Sequence, residues 1–118
     1  MPTLQELEAV EARLEALLAR YTPPLVTGTI YGMPSLVWPG SGGHDYFASL
    51  KRGAKYVSLY LIIADRHPDE LAACSPELLG RRTGRATWTF TKLDDDLAAD
   101  LTALLDQLFA RYRIEHGD

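Results

Sequence analysis

The sequence predicts an α+β fold, a two-layer sandwich in which N- and C-terminal helices lie on one face of an antiparallel sheet of about five strands. Three features predict it. Apolar residues recur at helical spacing near both ends of the chain, several short β-branched or aromatic runs lie between them, and the connections between those runs are short. Short connections favour antiparallel neighbours, and helices with one apolar face each must bury it against a common partner layer. The chain has 118 residues. That length suits one domain, spanning 1–118, with about two-thirds of its unfolded surface buried.

The first helix is expected from Thr3 to Tyr21. Leu4, Leu7, Val10, Leu14, Leu17, Leu18 and Tyr21 recur at helical spacing, and Thr3 with Glu6 forms a capping box. Pro23 and Pro24 end it, because proline disfavours helical geometry in the residue before it and cannot donate to the ladder. Leu25 to Tyr31 reads as a strand whose Gly28 marks a bulge or a close approach. Gly32-Met33-Pro34 breaks it; Ser35 to Trp38 and Asp45 to Lys51 then form a hairpin around a glycine-rich loop. Arg52-Gly53 turns the chain into Lys55 to Ile63, the longest apolar run and the expected central strand. Its two faces differ. Val57, Leu59, Leu61 and Ile63 form an aliphatic row, whereas Tyr56, Ser58, Tyr60 and Ile62 form a mixed one.

Pro68 with Asp69 and Glu70, and then Ser75-Pro76-Glu77 with Gly80 as its stop, mark two short helices. Arg85 to Thr91 alternates Ala86, Trp88 and Phe90 with threonines, the period of a strand. Asp94 is a good N-cap for a final helix, with Asp95 and Asp96 suited to its positive end. Leu97, Leu101, Leu104, Leu105, Leu108 and Tyr112 give that helix its apolar stripe.

Composition narrows the function classes. A net charge of −4 argues against nucleic-acid binding, which depends on clustered Lys and Arg, and no apolar run reaches the span of a membrane helix. The lone cysteine, Cys74, allows no intrachain disulfide, so a cytoplasmic setting is expected. Gly40-Ser41-Gly42-Gly43 lacks the lysine-threonine ending and the following helix of a P-loop, and no serine has the nucleophile-elbow context. No catalytic residue is assigned. The chemistry-bearing candidates fall into three sets. Glu8, Glu11 and Glu15 share one strip of the first helix and could hold a hard cation, or form a solvated face. Asp65, His67, Asp69 and Glu70 combine imidazole with carboxylates, a divalent-metal donor set, although Pro68 and the acids are also a helix start. Trp38, Tyr46, Tyr56, Tyr60 and Trp88, with Lys51, Lys55, Arg81, Arg82 and Arg85 in neighbouring turns, form an aromatic and basic set. Such a set can be core, a ligand cleft or a homodimer interface.

Several motifs in order resemble the YdhG-like family: Ile30-Tyr31-Gly32-Met33-Pro34-Ser35, Tyr46-Phe47-Ala48, Lys55-Tyr56-Val57-Ser58-Leu59-Tyr60 and Gly84-Arg85-Ala86-Thr87-Trp88-Thr89-Phe90. The resemblance implies a frataxin-like fold and, for some members, an iron-chaperone role. Where family members often carry an acid before Gly-Met-Pro and a histidine after the strand lysine, this chain has Thr27 and Tyr56. The reading adopted is a non-enzymatic binding or interaction domain. Iron delivery is the alternative and an enzyme of unrecognised type the third. No resident cofactor is expected beyond iron in the second reading, and the partners in view are a second copy, another protein or a small ligand.

Overall fold

The computed structural model describes residues 2–30, 32–40 and 45–117. Helix α1 (Leu4–Leu18) starts at the anticipated capping box, in which the Glu6 N–H donates to Thr3 Oγ1 and the Glu6 carboxylate faces the Thr3 N–H. One turn of 3₁₀ helix, Ala19–Tyr21, extends it to the prolines. Five antiparallel strands follow: β1 (Val26–Ile30), β2 (Met33–Val37), β3 (Ala48–Arg52), β4 (Val57–Tyr60) and β5 (Thr87–Phe90). Their order in the sheet is their order in the chain. Gly32 has a φ of 77°, which permits the tight turn between β1 and β2. Gly28 reflects close packing, since a Cβ there would lie 3.2 Å from Val37 Cγ2.

Two expectations about the apolar run need correction. Strand β4 ends at Tyr60, and Ile62–Arg66 is a short helix, α2. The strand is interior, paired with β3 and β5, but β3 holds the middle of the sheet. Leu61 and Ile63 are nevertheless fully buried. The apolar pattern tracked burial, while β-propensity overstated the strand. The hairpin strands are also displaced: β2 begins at Met33 and β3 at Ala48, leaving Trp38, Asp45 and Tyr46 in the connection. The tip of that connection, from Ser41 to His44, and Tyr31 lie outside the described residues.

Pro68–Ala73 is a 3₁₀ helix, and α3 (Pro76–Leu79) is capped by Ser75, whose hydroxyl accepts from the Leu78 N–H. Helix α4 (Asp95–Glu115) starts where Asp94 Oδ1 accepts from the Leu97 N–H at 2.8 Å. Leu7, Leu14 and Leu18 of α1 join Leu101, Leu105, Leu108 and Tyr112 of α4 in one core with Leu50, Val57, Leu59, Trp88 and Phe90 of the strands. Both long helices therefore cover the same sheet face. Alternation puts Ser35, Ser49, Lys51, Ser58, Tyr60, Thr87 and Thr89 on the other face, away from the two long helices among the described residues. No helix among the described residues is long and apolar enough to cross a membrane.

Candidate functional site

The two faces of the sheet carry different sites. On the helical side, α1 does not reach across β1, and Thr27 and Thr29 remain exposed. The result is a groove of about 770 Å³ between α1 and strands β1 to β3. Leu18, Leu36, Ala48 and Leu50 form its apolar base, and Glu11, Glu15, Thr27 and Arg52 stand around it. These residues converge because the core-facing positions of β2 and β3 meet the last turns of α1. The guanidinium of Arg52 lies 3.4 Å from Glu8 and 3.7 Å from Glu11, tying α1 to β3. Of the three helical acids, Glu8 and Glu11 thus share a cation, and Glu11 and Glu15 border the groove.

The second acidic set is dispersed into structural contacts. Asp69 and Glu70 both meet Arg111, at 3.0 and 2.8 Å, which holds the 3₁₀ helix against α4. These contacts raise the Arg111 pKa, the hydrogen bond to Glu70 most and the charge of Asp69 next. His67 Nε2 lies 2.6 Å from Glu115 Oε2, and Asp65 is exposed. Among the described residues no three His, Cys, Asp or Glu side chains converge as a metal site would require. Cys74 is half-buried, and burial together with the nearby Asp100 pushes its thiol pKa up, away from a reactive thiolate.

The aromatic and basic set divides three ways. Trp88 is fully buried in the core, so it cannot line a cleft on the open face; its position opposite Leu59, with the same parity as Phe90, puts it under the helices. Among the described residues its indole Nε1 has no hydrogen-bond partner. Trp38 stacks on the His116 ring at 5.0 Å, and Tyr46 is buried in the connection before β3. Arg85 is exposed, and its carbonyl accepts from the Arg82 guanidinium at 2.7 Å. Only Tyr56 and Tyr60 remain together on the open face. With Lys51, Lys55 and Ser58 they border a recess of about 320 Å³. The Gly53 N–H donates to the Tyr56 carbonyl at 2.9 Å and closes the turn that carries Lys55.

A third cluster escaped sequence reasoning. Asp45 accepts from Tyr112 Oη at 2.7 Å and lies 3.0 Å from His116 Nε2, with Arg66 3.9 Å away. Arg66 also meets Glu115 at 2.7 Å, and Glu115 meets His67. The network fastens the end of α4 to α2 and to the approach to β3. Burial of Tyr112, then its hydrogen bond to Asp45, raises the phenol pKa well above the ordinary value. Tyr21 behaves alike: burial and a 2.6 Å bond to Asp106 on α4 raise its pKa. Partners so far apart in the chain leave no local signal; Tyr112 and Asp45 are separated by 67 positions. Comparison of the chain with protein-family models, with curated proteins and with solved structures finds no match.

Proposed function

We propose that this chain is a non-enzymatic binding domain of the YdhG-like, frataxin-like kind, and that its ligand enters the groove between α1 and strands β1 to β3. The observation that carries this reading is the groove itself. Its volume of about 770 Å³ falls within the range of small-molecule sites, and an apolar base with a few charged groups around it is the usual make-up of such sites. Binding is favoured over catalysis because Glu15 and Arg52 at the groove are exposed and Glu11 is already paired with Arg52. Catalysis calls for titratable groups held in a water-restricted pocket. Ala19 borders the groove and is exposed, so Ala19→Trp fills it with little effect on the core. A thermal-shift screen of small apolar compounds should give hits with the parent chain that Ala19→Trp loses. Hits of equal size in both proteins would defeat the proposal.

Iron delivery is the second reading, favoured by the adjacency of Glu11 and Glu15 on one side of the groove. Calorimetry with ferrous iron decides it. Binding lost in the Glu8→Gln, Glu11→Gln, Glu15→Gln triple variant supports it; binding kept removes the ion from these acids; no binding removes the reading altogether. Self-association through a row of Tyr56, Tyr60 and Ile62 is disfavoured: Ile62 lies in α2 rather than on the strand, and Lys51 and Lys55 border the same recess as the two tyrosines, so a two-fold contact there gathers like charges.

A further inference from the structure

We propose that the open face of the sheet carries a second, separate site, and that it binds a small planar aromatic acid such as an aryl phosphate. The charge distribution points there first. The chain has 16 acidic residues, and not one falls within the five strands. Charge is therefore segregated by layer, with the acids on helices and connections. Five arginines are matched with acids: Arg13 with Asp95, Arg20 with Asp106, Arg52 with Glu8 and Glu11, Arg66 with Glu115, Arg111 with Asp69 and Glu70; Arg81, Arg82, Arg85 and Lys92 have no ion pair among the described residues but border neither the groove nor the recess. Lys51 and Lys55 differ. Both are exposed, both border the recess on the open face, and neither has an ion pair among the described residues.

The recess supplies the other half of the recognition. Tyr56 is 46% exposed and Tyr60 half-buried, so two tyrosines border the same space as two lysines. The sheet fixes this spacing: Lys51 sits opposite Ser58 and Tyr60 opposite Ser49 in the β3–β4 register. Ser58 adds a hydroxyl at its base, 6% exposed. Rings bind the flat apolar part of a ligand, lysines its charge, and the hydroxyl one oxygen. Size selects the class. About 320 Å³ is near the lower limit for ligand sites, enough for one or two fused rings and a single acidic group. A macromolecular polyanion would need more cations than these two.

The test uses 1-naphthyl phosphate as probe, followed by chemical shifts of the full chain. Saturable shifts should map to residues 51–60, while inorganic phosphate and 1-naphthol, each lacking one half of the recognition, should bind at least about tenfold more weakly. Lys51 also borders the groove, so Lys55→Gln and Tyr60→Leu distinguish the two sites. Lys55→Gln should weaken naphthyl phosphate roughly fivefold, the upper range for a solvent-exposed charge contact, and Tyr60→Leu roughly fivefold through the lost ring contact, with the urea midpoint of Lys55→Gln unchanged. Rising salt should weaken the parent chain and leave Lys55→Gln less affected. Equal affinity in Lys55→Gln and the parent chain overturns the proposal. So does an oligothymidylate whose affinity climbs steadily with length, which would make the face a strand-binding surface. Dimerisation that buries Tyr56 and Tyr60 also overturns it.

Discussion

Replacing Tyr112 by Phe removes one hydroxyl from a fully buried ring and leaves its packing against Phe47 and Trp38 intact. That hydroxyl donates to Asp45 at 2.7 Å. A hydrogen bond to a charged acceptor contributes about 1.5–3 kcal/mol. Asp45 keeps His116 and Arg66 as neighbours after the change, so the loss should be at the lower end, about 1.5 kcal/mol near pH 7.5. Tyr21→Phe is the parallel case. Its acceptor, Asp106, is half-exposed and can take water instead, so its loss should be about 1 kcal/mol. Alkali then reverses the comparison. Both tyrosines have pKa values raised by folding from an ordinary 10.0, so the native state holds protons that the unfolded chain releases. Their stabilising effect is complete below pH 10 and is lost as pH rises beyond it. At pH 11 ionisation in the unfolded chain removes about 1.4 kcal/mol of that stabilisation per tyrosine, which phenylalanine, unable to ionise, does not lose. Urea unfolding of the parent and the double variant Tyr21→Phe, Tyr112→Phe should show a gap of roughly 2.5 kcal/mol at pH 7.5 that closes near pH 11 and then inverts. Curves that stay parallel from pH 7.5 to 11.5 would refute the reasoning.

Two smaller changes probe the scaffold. Asp94→Ala removes the N-cap of α4 and should lower stability by about 1 kcal/mol in urea, with Asp94→Ser recovering most of it. Gly28→Ala places a methyl 3.2 Å from Val37 Cγ2; it should destabilise the hairpin, and Val37→Ala should relieve the effect in the double variant, as a double-mutant cycle will report.

How much was legible in the sequence follows the range of each interaction. The capping box of α1, the Asp94 cap, the stripe of α4 and the alternation of β5 are local, and all stand in the structure where the residues implied. Helix α2 was missed because Ile62 and Ile63 favour strands and Leu61 offers no side-chain cap to announce a turn. Pooling Trp88 with the other aromatics leaves it open between core, cleft and interface, and its parity with Phe90 opposite Leu59 decides for the core. The Asp45, Tyr112 and His116 cluster and the matching of Arg52 to Glu8 and Glu11 required the tertiary fold. The groove is hidden for a related reason. It exists because α1 stops short of β1, and a sequence records the apolar residues but not which of them a helix leaves partly uncovered.

The most direct test of the central claim is a chemical-shift map of the full chain titrated with the apolar compounds that raise its melting temperature. The account predicts saturable shifts concentrated at Leu18, Thr27, Leu36 and Leu50, the residues of the groove, and their loss in Ala19→Trp. Shifts that cluster elsewhere, or that persist unchanged in Ala19→Trp, would contradict it.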